Sequence, residues 1–120
     1  MKHIRLNAII AAVGLAVMLL LSAQSQAGYY NGSDLLQKCE SDSAAMHNAC
    51  AGYIMGMNDY QKTMLVFTYM DEPYFCVPDR VSSGQLVKVV TKWLNERSDY
   101  LHLDAGVLVA HAVRESFPCS

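Results

Sequence analysis

The chain has 120 residues, 52% of them hydrophobic, and its 11 acidic and 9 basic residues give a net charge of −2. A chain of this length forms one small domain with a modest core. The lack of a basic excess argues against nucleic acid or an anionic membrane surface as the partner, and it suits a basic protein partner better.

The first 27 residues are predicted to be a cleaved secretory signal peptide. Lys2 and Arg5 give a positive start, an uncharged and mainly apolar run follows, and Ala27 offers the small side chain that a signal peptidase reads. The run is shorter than the roughly 20 apolar residues that span a bilayer. The mature protein is therefore expected to be an exported domain of residues 28–120, with seven basic and 11 acidic residues.

The mature part of the chain is predicted to be helical. Apolar residues recur every three or four positions, and no alternating segment of useful length indicates a strand. The three prolines, Pro73, Pro78 and Pro118, lie between or after the periodic segments. We therefore expect an all-α fold, a small bundle of about four helices. The predicted helices cover residues 34–39, 43–69, 82–96 and 104–117.

Three helix starts carry capping signals. Ser82 and Gln85 have the spacing of a capping box, in which each side chain accepts a hydrogen bond from the other residue's backbone N–H. Asp34 and Gln37 repeat that spacing at the first helix, and Asp104 is a candidate N-cap for the fourth. These signals predict where the first, third and fourth helices begin.

The three longer helices each have a predicted inward face. On the second helix the expected core residues are Met46, Ala49, Cys50, Tyr53, Met57, Tyr60, Met64 and Phe67. On the third they are Leu86, Val89, Val90, Trp93 and Leu94. On the fourth they are Leu108, Val109, Ala112, Val113 and Phe117. Beside the predicted inward face of the second helix lies a ridge of small residues, which is predicted to let another helix approach closely. These residues are Ala45, Ala49, Gly52 and Gly56.

The four cysteines, Cys39, Cys50, Cys76 and Cys119, are predicted to form two disulfides. An even number of cysteines in a small exported domain is typical of disulfide cross-links. A zinc site is the alternative, but zinc sites usually contain a short Cys-x-x-Cys pair, and these cysteines are more widely spaced.

The predicted helices also indicate how the cysteines pair. If the second helix is unbroken to about residue 70, Cys50 lies about 30 Å from its end, and the six residues up to Cys76 can retrace only about 20 Å. By elimination, Cys76 pairs with Cys119. A hairpin of the third and fourth helices supports this, because it returns Cys119 to the start of the third helix. Cys39 then pairs with Cys50.

No catalytic or metal-binding arrangement stands out in the sequence. Oxidised cysteines leave no thiol nucleophile, and His47, His102 and His111 lie on three separate segments. Met55 and Met57 form a Met-x-Met pair of the kind used for copper, but residues two apart on a helix point in different directions. We therefore expect no enzyme activity, no metal and no cofactor.

Two turns have the composition of a binding surface. The segment 69–75, "YMDEPYF", places aromatic side chains around two carboxylates. The segment 97–103, "RSDYLHL", similarly places Tyr100 beside the carboxylate of Asp99. Tyrosine supplies large, rigid and amphipathic contact area in protein interfaces. The alternative is that these aromatic residues cover the ends of a small helical core.

Four segments carry a resemblance to a known family. In chain order they are "GSDLLQKC", "CAGYIMGMNDY", "FCVPDRVSSGQLVKVVTKWLNE" and "AHAVRESFPC". Together they resemble the Rap/Tai immunity proteins over almost the whole mature chain, including the order of all four cysteines. The matching positions belong to the scaffold. They are the four cysteines, Tyr53, Gly56, Asp59, Pro78, Gln85, Leu94, Phe117 and Pro118.

The resemblance implies a periplasmic inhibitor, often a homodimer, that protects bacteria from a peptidoglycan amidase injected through type VI secretion. It implies inhibition by occlusion of the amidase's catalytic cleft. The turns described above are the candidates for contact with the toxin. The predicted partner-binding residues are Asp71, Glu72 and Tyr74, followed by Asp99 and Tyr100.

Two other functions compete with immunity. One is a periplasmic acid-stress chaperone, which would expose apolar surface and lose its dimer near pH 3 as carboxylates become protonated. The other is a structural or assembly factor without a toxin. Client protection at low pH, or an amidase encoded by the neighbouring gene, would discriminate between these hypotheses.

Overall fold

Residues 29–120 form four α-helices and one 3-10 turn. The computed structural model describes residues 1–4 and 29–120, so the predicted signal peptide falls almost entirely outside the described residues. None of the helices within the described residues combines the length and apolar character that crossing a membrane requires. The elements are α1 (Gly32–Cys39), α2 (Ala44–Val66), α3 (Ser83–Asn95), the 3-10 turn (Ser98–Tyr100) and α4 (Ala105–Ser116).

The core lies between all four helices and confirms the all-α expectation. Packing is closest between α1 and α2 and between α3 and α4. Burial of each large apolar side chain contributes about 1.5–3 kcal/mol to folding. The buried apolar residues are Leu35, Cys39, Cys50, Ile54, Phe75, Leu86, Val87, Val90, Trp93, Leu94, Ala105, Leu108, Val109, Ala112 and Val113.

The starts of α3 and α4 are as predicted, and the start of α1 is not. Ser82 accepts the backbone N–H of Gln85 at 3.2 Å, and Gln85 accepts that of Ser82 at 2.8 Å. The side chain of Asp104 accepts the N–H of Gly106. At α1, however, the N-cap is Asn31, which forms the capping box with Asp34. Asn31 is also a strong N-cap residue, and its use places the N-cap three residues earlier than predicted.

The predicted inward face of α2 is only partly right. Its fully buried positions are Cys50, Ile54 and Gln61, whereas Tyr60 and Phe67 are 57% and 63% exposed. Large apolar side chains occur around most of the α2 circumference, so periodicity alone did not identify the side that packs on the core.

The small-residue ridge of α2 faces open space. A Cβ added at Gly52 or Gly56 would meet no described atom within 4 Å, and Ala45 and Ala49 are exposed as well. The predicted close approach of another helix is therefore wrong for the described residues.

The C-terminal end of α2 comes three residues earlier than predicted. The helix ends at Val66, and Thr68 then has a φ of 57°. This left-handed conformation is favourable for glycine and costs about 1–2 kcal/mol for other residues. The chain turns away here, and Tyr69, predicted to be helical, is 76% exposed.

Both disulfides form as predicted, Cys39 with Cys50 and Cys76 with Cys119. The elimination argument is wrong, however: with α2 ending at Val66, the next ten residues can retrace about 33 Å, more than the 24 Å or so from Cys50 to the helix end. The Cys76 N–H donates to the carbonyl of Phe117 at 2.8 Å, which places Cys76 beside the C-terminal end of α4 and next to Cys119. The predicted antiparallel hairpin is not what brings the two cysteines together, because Trp93 and Arg97, near the C-terminal end of α3, bond to Glu115 near the C-terminal end of α4.

Candidate functional site

The segment after α2 is held in place by one buried side chain, that of Gln61. Its Oε1 accepts the backbone N–H groups of Tyr74 and Phe75 at 2.8 and 3.1 Å, and its Nε2 donates to the carbonyl of Phe75 at 2.9 Å. Gln61 is only 7% exposed and is the one buried polar residue of the described chain. A segment without regular secondary structure thereby has its backbone groups satisfied at the edge of the core.

Residues 71–76 are anchored further by Phe75 and by the second disulfide. Phe75 is 3% exposed and belongs to the core, so for Phe75 the alternative is correct: this aromatic residue covers the helical core and is not part of the binding surface. Cys76 is covalently tied to Cys119. Between these anchors and the end of α2, Asp71 and Glu72 are exposed. The two predicted carboxylates therefore project from a fixed base.

Tyr74 lies half-buried against α4. The guanidinium of Arg114 sits 4.3 Å from the centre of the Tyr74 ring, and the His111 ring meets it edge-on with centroids 6.1 Å apart. A cation over an aromatic ring contributes about 0.5–1 kcal/mol at a partly exposed position. Tyr74 thus offers one side of its ring and its hydroxyl group, and its orientation is fixed by α4.

A groove of about 320 Å³ separates α3 from α4. We call it the α3–α4 groove. Tyr100 of the 3-10 turn forms part of its wall and is 52% exposed, and Asp99 beside it is exposed as well. The lining residues are Trp93, Arg97, Tyr100, Leu103, Val107, Leu108, His111 and Glu115.

The charged groups of the α3–α4 groove are paired with each other. Glu115 Oε2 accepts the indole N–H of Trp93 at 2.8 Å and an N–H of Arg97 at the same distance. The Arg97 guanidinium also lies 4.4 Å from the centre of the Trp93 ring. This arrangement fixes the side chains of Trp93, Arg97 and Glu115 at one end of the groove. The acid and the base at this end are therefore paired with each other.

The loop that carries Tyr100 is braced by the beginning of α1. Gly32 N–H donates to the Leu103 carbonyl at 2.9 Å, and Ser33 N–H donates to the Leu101 carbonyl at 3.0 Å. Gly32 is needed for this approach, because a Cβ there would lie 2.5 Å from Leu108 Cδ1 and 2.9 Å from Leu101 Cα. The strand-like contact between Asn31 and Asp104 continues the brace.

An aromatic cluster supports the same brace from beneath. The rings of Tyr30 and Tyr53 lie 5.6 Å apart, and the Lys38 ammonium group lies 4.7 Å from the Tyr30 ring centre. Burial raises the pKa of the Tyr53 phenol above its usual 10.0, and the charges of Asp104 and Tyr30 raise that pKa further. Tyr53 therefore stays neutral under physiological conditions and acts as a structural residue.

The two predicted contact turns meet on one face of α4. His111 touches Tyr74 and also lines the α3–α4 groove beside Tyr100. The predicted residues therefore fall into two groups connected by α4, with Asp71, Glu72 and Tyr74 at one end and Asp99 and Tyr100 at the other. We call this surface the α4 face. Sequence reasoning missed His111, Arg114 and the groove, because the pattern of α4 identifies its buried side and not the neighbours of its exposed side.

No metal site is found within the described residues. They contain no group of three or more His, Cys, Asp or Glu side chains placed to hold an ion, and all four cysteines are in disulfides. The α4 face therefore offers aromatic, apolar and charged contact surface.

Comparison with protein families places this chain beside a family of known role. The model of the Rap1a immunity proteins matches residues 31–119. The chain belongs to the Rap1a immunity family. A comparison with curated proteins finds no match.

Membership confirms the resemblance noted from the four motif segments. The matched range contains every helix from α1 to α4, both disulfides and both contact turns of this Rap1a-family protein. An immunity protein of type VI secretion acts by binding a toxin effector. The functional site of such a protein is therefore a protein-binding surface, for which the α4 face is the candidate.

Proposed function

We propose that this Rap1a-family protein is exported to the periplasm and neutralises a type VI peptidoglycan amidase by covering its catalytic cleft. The α4 face makes the contact in this proposal. Asp71, Glu72 and Tyr74 enter the cleft in which the amidase binds its peptide substrate, and Asp99 and Tyr100 contact the rim. The protein itself carries out no catalysis, and a homodimer, which the family resemblance implies, stays a prediction.

One observation carries the site assignment: His111 connects Tyr74 to the groove that Tyr100 lines. Two turns separated by more than 20 residues in sequence thus belong to one continuous surface. Each turn is also rigidly held, one by Gln61 and a disulfide and the other by the α1 brace. Rigid aromatic side chains bind with a small loss of conformational entropy, which supports this surface over the rest of the exposed chain.

Charge supports the same assignment. Asp71 and Glu72 project together from one turn, and the mature chain carries an acidic excess. Enzymes that work on an anionic cell wall benefit from a basic surface, and opposite charges speed the encounter of two proteins. Occlusion requires the inhibitor only to fill the cleft, so no bond is formed or broken.

The test begins with the gene next to that of this protein, which on this proposal encodes a peptidoglycan amidase, and directs its product to the periplasm of a bacterial host. Co-expression of the exported immunity chain should prevent lysis, and the purified chain should inhibit hydrolysis of peptidoglycan fragments. The triple variant Asp71→Ala, Glu72→Ala, Tyr74→Ala should lose protection while its melting temperature changes little. We call residues 69–75 the acidic turn. Unchanged protection by a folded triple variant would remove the acidic turn from the site. Lysis in the presence of the wild-type chain would contradict the proposed function.

The exposed side of α2 favours one alternative function. Tyr60, Val66, Phe67 and Tyr69 leave an apolar surface that a chaperone would use to hold unfolded clients. Suppression of client aggregation at pH 3 together with no amidase binding would favour the acid-stress chaperone.

A further inference from the structure

The α3–α4 groove has features that point to the chemistry of what it binds. We propose that it receives one uncharged apolar side chain of the toxin, aromatic or branched aliphatic, as the central anchor of the complex. This inference rests on the proposed function, because it assigns the groove to the same partner. It adds a specific contact that the two predicted contact turns do not provide.

The rim of the groove is apolar and open. Tyr100, Leu103 and Val107 are 52%, 40% and 52% exposed, whereas Trp93 and Leu108 beneath them are almost fully buried. Exposed apolar side chains around a concave, apolar floor are typical of sites that bind apolar groups.

Arg97 and Glu115, the base and the acid at one end of the groove, are already paired with each other. The Trp93 indole N–H and the Arg97 guanidinium both donate to Glu115. A charged side chain entering here would lose part of its water and would have to compete with the Arg97–Glu115 pair for a partner, which is costly. An uncharged apolar side chain has no comparable desolvation cost. The paired charges of the groove therefore favour an uncharged occupant.

The size of the groove limits the occupant to one or two side chains. Its volume of about 320 Å³ lies at the lower end of the range of roughly 300–1,000 Å³ for ligand pockets. The groove also lies between Tyr74 and the 3-10 turn, near the middle of the α4 face. Anchor residues of protein interfaces cluster in central pockets from which water is excluded.

A first experiment tests the groove without the toxin. Trp93 is the only tryptophan of the chain, so its fluorescence reports on the groove floor. The probe is N-acetyl-phenylalanine amide, with the lysine and glutamate analogues as controls. We expect a saturable change in Trp93 emission with the phenylalanine probe at millimolar concentration and none with the charged analogues. No saturable change, or equal changes with all three, would overturn the proposal.

A second experiment uses a matched pair of variants with the amidase. Val107→Asp places a charge at the groove, and Val66→Asp makes the same change at an exposed helical valine on α2. We expect Val107→Asp to weaken amidase binding at least tenfold and Val66→Asp to change it less than twofold. Tyr100→Ser serves as a second groove variant, and circular dichroism verifies that all variants are folded.

The outcomes separate the two proposals. If wild-type protein binds the amidase and both groove variants bind it equally well, the anchor is overturned and the proposed function stands. If wild-type protein binds no amidase, the proposed function fails and the anchor in the toxin complex fails with it. A saturable response to the phenylalanine probe in that case would still assign apolar binding to the groove itself.

Discussion

The Gln61 side chain holds the backbone N–H of Tyr74 through a hydrogen bond of 2.8 Å across 13 residues of sequence. With its two bonds to Phe75, this glutamine takes the place that a neighbouring strand would have in a sheet. The acidic turn of the α4 face is therefore fixed by the helix that precedes it. The position of Asp71 and Glu72 depends on an amide that no motif singles out.

Replacement of Gln61 by Leu should destabilise the protein by about 2–4 kcal/mol, because it leaves two backbone N–H groups and one carbonyl without partners. Equilibrium unfolding in urea would measure the loss. Gln37→Leu, at an exposed position of α1, is the control and should change stability by less than about 0.5 kcal/mol. Equal effects of the two substitutions would contradict the role of Gln61.

Gly32→Ala and Gly84→Ala should change stability in opposite directions. At Gly32 the new methyl group would press on Leu108 and on the backbone of Leu101, at an expected cost of about 1–3 kcal/mol. At Gly84, on α3, it would meet no described atom within 4 Å, and alanine should stabilise the helix by up to about 1 kcal/mol. Denaturant midpoints would give both values, and a neutral Gly32→Ala would argue against the close approach of α1 to the loop before α4.

Mild reduction should open the two disulfides in a fixed order. Cys76 and Cys119 are exposed, whereas Cys39 and Cys50 are 6% and 0% exposed. Reduction requires a thiolate to reach the sulfur, so Cys76 and Cys119 should be alkylated first in a dithiothreitol titration followed by mass spectrometry. On the loop-entropy model the loss of this cross-link costs about 4 kcal/mol. Earlier labelling of Cys39 and Cys50 would contradict the expected order.

Thr68→Gly should stabilise the protein by about 1 kcal/mol. Thr68 has a φ of 57°, which glycine adopts without the strain of a β-branched side chain. Thr63→Gly, at an exposed position within α2, is the control and should destabilise by up to about 0.5 kcal/mol, because glycine is a poorer helix former than threonine. Thermal unfolding of the two variants should shift the melting temperature in opposite directions, and a shift downward for both would argue against a strained turn at Thr68.

Alkaline pH should reveal the burial of Tyr53. Folding raises the pKa of its phenol above 10.0, so its contribution to stability is complete below pH 10 and is lost as the pH rises through the folded-state pKa. Tyr53→Phe should therefore reduce the fall in unfolding free energy above pH 10. Tyr29→Phe, at a residue 99% exposed, should leave that fall unchanged. Identical pH profiles for both variants would place Tyr53 in a solvent-like environment.

Local signals in the sequence predicted most of α3 and α4. The capping box at Ser82, the N-cap Asp104 and most of both buried faces were readable, because each depends on residues within one or two turns. On α3 the prediction named Val89, whereas Val87 is the valine that is buried there. The inward face of α2 was predicted incorrectly at Tyr60 and Phe67, since apolar residues surround that helix. Gln61 had no local signal at all: its partners lie 13 and 14 residues away, and only tertiary packing buries it.

The two turns of the candidate site could be predicted from the sequence, but their arrangement on α4 could not. Composition identified both turns, because clustered carboxylates and tyrosines are visible in any sequence. Their meeting on α4 was not readable, since it depends on how far the chain travels after α2 and on which side of α4 remains uncovered. The left-handed turn at Thr68 determines how far the chain travels after α2, and a threonine in the sequence does not predict a left-handed conformation.

The bridge from Cys76 to Cys119 spans a sequence separation of 43 residues, and it makes the acidic turn late to mature. A nascent chain that has emerged only as far as α3 has this turn attached on one side alone. Gln61 holds one side of this turn without α4, but the covalent anchor of Asp71 and Glu72 requires both the synthesis of α4 and the oxidation of Cys76 and Cys119. The predicted contact residues of this protein would thus become fully rigid only when a covalent bond closes, some time after they are synthesised.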